Sequence, residues 1–259
     1  MTMTFWEHLD ELRGCLIRVL VAVFLCSVAL FCCKEALFYC VLAPSRPDFV
    51  SYRLFAALTG TKVGFDVALF NPELTQQFMA HVKMSLWGGL LVVSPYVLYV
   101  LFHFVAPALY SRERHYAVRA VGGGYVMFMM GVALGYFLIF PLTFRFLATY
   151  QVDAAVPNVI ALSDYVSMLL LLCFLMGVVF ELPVVSWLLA KMGVLKADWM
   201  RRYRRHALVV ILIVAAVLTP TGDALTLTVV SFPIYLLFEL SIFIVRRSQG
   251  VDAQSGVSR

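Results

Sequence analysis

The stretch YVSMLLLLCFLMGVVFELPVVSWLLA, from Tyr165 to Ala190, decides the fold. It is some two dozen residues long and carries a single charge, Glu181, within Phe180-Glu181-Leu182-Pro183. At about 1.5 Å of rise per residue, a helix of that length crosses a hydrocarbon core of about 30 Å. An ionised side chain near the bilayer centre costs about 2.5–3.5 kcal/mol on insertion scales, so such groups are sheltered in a bundle interior or a wet cavity with a partner. Glu181 is therefore the first candidate functional residue. The plain alternative is a protonated or hydrogen-bonded carboxyl that only locks two helices together.

The rest of the chain repeats the message. Of its 259 residues 63% are hydrophobic and 14% charged, which excludes a soluble globular domain and a disordered chain. A net charge of +5 would suit nucleic acid, but the cations cluster beside apolar runs instead of forming a basic face. No nucleic-acid partner is expected. Six apolar spans follow from length and bounding charges: Leu16–Cys33, Phe78–Val105, Ala120–Leu142, Tyr165–Ala190, Ala207–Leu218 and Ala224–Val245. The fifth has only about 12 residues, roughly 18 Å as a helix, so it must thin the bilayer or lean on protein. With no small-residue cleavage site after the first apolar run, that span is expected to be retained. The fold class read here is an all-α integral membrane protein, a concave six-helix bundle over residues 1–247, with 248–259 as a polar, disordered tail.

Orientation follows from the basic residues. With a cytoplasmic amino terminus, Arg13, Arg18, Arg112, Arg114, Arg119, Lys191, Lys196, Arg201, Arg202, Arg204, Arg205, Arg246, Arg247 and Arg259 share one side, 14 of the 20 lysines and arginines. Lys34, Arg46, Arg53, Lys62, Lys83 and Arg145 fall opposite. The asymmetry puts both termini inside. Trp6, Trp87, Trp187 and Trp199 near span ends read as interfacial anchors. The outer segment from about Lys34 to Gln77, with Pro44, Pro47 and Pro72, is long enough for a cap of short helices and turns.

Chemistry has few footholds. The six cysteines form no C-x-x-C pair and read as small buried hydrophobes. His8, His81, His103, His115 and His206 lack metal-ligand spacing, so neither a metal nor another cofactor is expected. Gly60-Thr61-Lys62 ends like a phosphate loop, but Phe55 stands where its first glycine belongs. No enzyme activity is read. Gly131 and Gly135 form a G-x-x-x-G that permits close helix contact.

Acidic groups stand on the cytoplasmic side, where cations are expected. Glu11 lies in His8-Leu9-Asp10-Glu11-Leu12-Arg13, and Glu113 follows Ala106-Pro107-Ala108-Leu109-Tyr110-Ser111-Arg112. Two readings stay open. One is surface ion pairing with Arg13, Arg112 or Arg114, worth under about 1 kcal/mol; the other is an acidic platform for a cationic peptide, whose guanidinium a carboxylate grips bidentately.

His8-Leu9-Asp10-Glu11-Leu12-Arg13, Phe104-Val105-Ala106-Pro107-Ala108-Leu109-Tyr110 with Glu113-Arg114, Phe180-Glu181-Leu182-Pro183, and Leu218-Thr219-Pro220 with Asp223 and Pro233 together resemble the TatC family. That family is the multispanning core of the twin-arginine protein translocase, and the resemblance runs from about residue 5 to residue 247. It implies a receptor for signal peptides with two consecutive arginines, and a translocase subunit exporting folded proteins across the bacterial inner membrane on the proton-motive force. It implies a cytoplasmic signal-peptide site of Glu11, Arg13, Phe104 and Glu113, and an intramembrane site of Glu181, Asp223 and Thr226 for a partner's helix. The implied partners are twin-arginine signal peptides, single-span TatA/TatB-type subunits and membrane lipid, in an oligomer.

The sequence departs from the family pattern in places. Cys15 stands where a second basic residue is common after the first motif. The turn Thr219-Pro220-Thr221-Gly222-Asp223 is one residue longer than a compact Thr-Pro-Pro-Asp form, and Leu227 replaces a frequent glutamine, leaving Thr226 and Thr228 as polar substitutes. Glu239 is a second span carboxyl, read chiefly as a helix-pairing or interfacial residue. Pro183 and Pro233 should kink their spans. The competing class is an ion- or proton-coupled small-solute transporter, against which no half-to-half repeat is visible.

Overall fold

The computed structural model describes residues 5–59, 69–105, 114–150, 153, 159–218 and 223–256. The elements in chain order are α1 (Phe5–Cys32), α2 (Lys34–Leu42), a 3₁₀ turn (Ala43–Ser45), α3 (Val50–Thr59), β1 (Leu69–Phe70), α4 (Gln76–Val105), α5 (Arg114–Leu134), a π-helical stretch (Gly135–Ile139), α6 (Phe140–Thr149), β2 (Ile160–Ala161), α7 (Leu162–Phe180), α8 (Leu182–Lys191), α9 (Ala197–Arg202), α10 (Arg204–Leu218) and α11 (Ala224–Gly256). Among the described residues, five helical stretches are long and apolar enough to cross a bilayer: Leu9–Cys32, Gln76–Leu101, Val121–Thr149, Leu162–Lys191 and Thr226–Gln249. The expected fifth span corresponds to α10, whose 15 residues give about 22 Å of helix, short of a hydrocarbon core of about 30 Å.

The chain divides into two compact units, residues 1–125 with 136–170, and residues 126–135 with 171–259. In the first, α1 and α4 pack as an antiparallel pair. Small residues set their spacing: a Cβ on Gly89 would stand 3.0 Å from Ser27 Cα, and one on Gly88 3.0 Å from Leu30 Cδ1. Towards the carboxyl end of α1 the Phe31 ring stacks on His81, centroids 4.1 Å apart.

Prolines in apolar helices free carbonyls four residues upstream, and here hydroxyls reach those carbonyls. Ser94 Oγ donates to Leu91 O at 2.7 Å beside Pro95. Ser51 donates to Phe137 O, which Pro141 cannot serve. Tyr136 Oη donates to Cys40 O at 2.6 Å, a carbonyl that also accepts the Ala43 N–H at the end of α2. The same contacts hold α2 and α3 in place as the cap expected from the outer segment. Tyr52, almost fully buried, donates to Pro44 O at 3.0 Å and Pro141 O at 3.2 Å, and burial raises its phenol's pKa. Tyr165 Oη donates to Val41 O at 2.8 Å, while its ring stands edge-on to Phe140 and Phe144. A feature the sequence reading lacks joins the two segments expected on the outer side: β1 and β2 pair in parallel, Leu69 with Ile160 and Phe70 with Ala161.

In the second unit, the G-x-x-x-G that runs from α5 into the first residue of the π-helical stretch lies against α7. A Cβ on Gly131 would stand 2.8 Å from the Met176 carbonyl carbon and from Phe180 Cβ, and one on Gly135 3.0 Å from Cys173 Cα. Helix α8 ends in a Schellman motif: Gly193 takes φ of 73°, its N–H bonding Ala190 O at 3.0 Å and the Val194 N–H bonding Leu189 O at 3.0 Å. Ala190, Ala197, Met200, Ile242 and Val245 then form a buried cluster joining α8, α9 and α11, with Leu195 and Phe238 packed on it. Helix α11 passes through Pro233 without ending.

At the carboxyl end, where the sequence reading placed a polar, disordered tail over 248–259, α11 runs on as far as Gly256. Gln249 explains why the helix does not stop at the basic pair: its Nε2 donates to Leu195 O at 2.9 Å and its Oε1 accepts the Ala197 N–H at 3.3 Å. A polar sequence is thereby held by the α8–α9 turn.

Candidate functional site

Glu181 sits at the joint between α7 and α8. Pro183 lacks an N–H, and at Glu181 the hydrogen bonding tightens, its own N–H going to Val178 O at 3.1 Å while its carbonyl accepts from Val185 N–H at 2.9 Å. The side chain is 8% exposed, and neither carboxyl oxygen has a hydrogen-bond partner among the described residues. A buried polar group left unsatisfied costs about 1–3 kcal/mol, more when charged. Such a group is suited to bonding a donor brought by another chain.

The candidates expected at the cytoplasmic face divide. The stacking of Phe31 on His81, the close approach of Ser27 to Gly89 and the groove that Tyr96 shares with Ile17 and Leu25 run in opposite directions along α1 and α4. Continuing that register brings Glu11 to the end of α4 where half-buried Phe104 lies. Glu11 Oε2 is enclosed by protein and accepts no hydrogen bond from a described residue. Arg13 is exposed and, two positions along a helix, projects about 200° away from Glu11, so the two do not share a face. Glu113, with the 106–113 motif, lies outside the described residues, as do residues 219–222.

Asp223 has a local task. Its Oδ1 accepts the Thr226 N–H at 2.7 Å, capping α11 at the third helical position. Thr226 is fully buried and its Oγ1 has no hydrogen-bond partner among the described residues. Helices α10 and α11 are also clamped by a pair that the sequence reading did not connect. Arg204 Nη2 donates to Glu239 Oε2 at 2.6 Å, and Tyr235 Oη donates to Glu239 Oε1 at 3.3 Å. The i, i+4 spacing of Tyr235 and Glu239 was visible, but the arginine lies a whole hairpin away. Among the described residues no three His, Cys, Asp or Glu side chains converge as a metal site.

The family model for the Sec-independent protein translocase protein TatC matches residues 7–233. The chain belongs to the TatC family. A TatC protein from Blattabacterium is 31% identical, the alignment spanning 93% of this chain and 94% of that protein. The TatC protein of Koribacter versatilis is 32% identical over 98% of this chain and 92% of its own length. A crystal structure titled twin arginine translocase receptor TatC superposes with a TM-score of 0.77 at 29% identity, covering 94% of this chain and all of that one. Membership of TatC, with the apolar helices, makes this a membrane protein of the protein-translocation machinery that works with other Tat components. The resemblance drawn from the four motifs is thus borne out, and TatC membership displaces the solute-transporter alternative.

Proposed function

We propose that this TatC-family chain is the twin-arginine signal-peptide receptor and core translocase subunit, exporting folded proteins across the bacterial inner membrane with energy from the proton-motive force. Both termini are cytoplasmic and α10 is a sixth, shortened crossing. The observation that carries the reading is Glu11: an acidic group against the positive-inside trend, with an enclosed oxygen that finds no described partner, at the Phe104 end of α4. A guanidinium offers the paired, planar donors such an oxygen lacks. Glu113 completes the cytoplasmic site in this reading, with Arg13 beside it on another face of α1. Glu181, Asp223 and Thr226 serve a later step, docking the membrane helix of a single-span TatA/TatB-type partner within an oligomer. Glu181 lies too deep to meet a hydrated arginine pair first.

The test is export in cells lacking their own TatC and expressing this chain with its partner subunits. A folded reporter behind a twin-arginine signal peptide should reach the outer side of the membrane, and export should stop with a protonophore. Changing the two arginines to lysines should stop it as well, because ammonium groups cannot form the bidentate pair. Equal export of both reporters would refute the receptor reading.

A further inference from the structure

The first unit carries a groove that none of the translocation roles uses. Ile17, Arg18, Val21, Ala22 and Leu25 of α1 and Tyr96 of α4 enclose about 400 Å³ that is open to the outside along its length. Its walls are apolar apart from one cation. Arg18 lies just inside the apolar run that begins at Leu16, a depth at which an arginine must reach back to the interface or find an anion. It reaches back: Nε donates to Gly14 O at 3.1 Å and Nη2 to Cys15 Sγ at 3.4 Å, which sets the guanidinium one turn nearer the start of α1. No carboxylate among the described residues pairs with it. Gly14 keeps the space beside it open, since a Cβ there would meet nothing within 4 Å.

From this arrangement we infer that the α1–α4 groove is a binding site for an anionic phospholipid. The headgroup phosphate pairs with Arg18 over Gly14, and an acyl chain lies along Val21, Ala22 and Leu25 against the Tyr96 ring. The charge complementarity selects the occupant: a neutral partner helix would leave the guanidinium without a counter-charge at the edge of the apolar run, and a soluble anion would leave the apolar walls uncovered. Basic pockets between membrane helices are a general means of holding acidic headgroups. Only the leaflet, cytoplasmic, rests on the orientation proposed above.

Native mass spectrometry of the full chain in neutral detergent tests the site, with phosphatidylglycerol and phosphatidylcholine of identical acyl chains as probes. Phosphatidylglycerol should be retained about fivefold better, the factor one interfacial arginine contributes. Arg18→Gln should lower phosphatidylglycerol to the phosphatidylcholine level, and Ala22→Leu, which fills the groove, should weaken both lipids. Arg53→Gln, an exposed cation of α3, should change neither. Phosphatidylglycerol retention that survives Arg18→Gln, or falls equally in Arg53→Gln, would overturn the inference. So would undiminished lipid in Ala22→Leu, or a chain dimer that Arg18→Gln dissolves, which would give the groove to a second copy.

Discussion

Replacing Gly131 by alanine tests the helix crossing that carries Glu181. The new methyl would stand 2.8 Å from both the Met176 carbonyl carbon and Phe180 Cβ, where carbons prefer about 3.5–4.0 Å. Met176 offers backbone and Phe180 its first side-chain carbon, so no rotamer change relieves the clash. The helices must part by roughly 1 Å, an overpacking cost of about 1–3 kcal/mol, against up to about 1 kcal/mol returned by alanine's better helix propensity. Gly135→Ala, 3.0 Å from Cys173 Cα, should cost less, while Gly123→Ala, with nothing within 4 Å, should be neutral or slightly stabilising. Thermal unfolding of the purified protein in detergent reads this order, at about 2–4 °C per kcal/mol for a chain of this size. Gly131→Ala should melt lowest and Gly123→Ala highest. Identical melting of those two variants would refute the close crossing of α5 and α7.

Glu181→Gln should transport better than Glu181→Ala, because an amide can still bond a partner's donor, and both should bind signal peptide normally; wild-type transport and partner-helix crosslinking in Glu181→Ala would leave the residue a purely structural role. Arg201→Gln should leave peptide affinity and topology unchanged if, as proposed, the Lys196–Arg205 loop acts through membrane orientation and lipid; a large affinity loss with intact topology would move it into the recognition site. Asp223→Ala should cost about 1 kcal/mol of stability through the lost cap on the Thr226 N–H, and Asp223→Asn should retain most of it. Unchanged melting in Asp223→Ala would show that the cap contributes nothing.

What was legible in the sequence is what depends on neighbours along the chain. Apolar length located the five described stretches long enough to cross a bilayer, the proline at 183 located the joint at Glu181, and Gly131 with Gly135 located a close helix contact. The missed features depend on residues distant in sequence. β1 and β2 pair through backbone groups, which leave no side-chain signature in two-residue strands. Helix α11 outruns its apolar pattern because Gln249 finds partners on the α8–α9 turn. Arg204 read as one cation of a topology signal, whereas Glu239 makes it a helix clamp. Asp223 was placed with a partner-helix site by motif alone, and its capping bond became visible only in the fold.

In the proposed receptor role, carboxylates at the cytoplasmic face hold a pair of arginines. Site-specific photo-crosslinking of a twin-arginine signal peptide to membranes with equal amounts of each variant tests it most directly. Glu11→Ala and Glu113→Ala should weaken the crosslink, and Glu11→Lys and Glu113→Lys should weaken it further, since repulsion adds to the lost pairing. Crosslinking that stays at the wild-type level in both lysine variants would contradict the account.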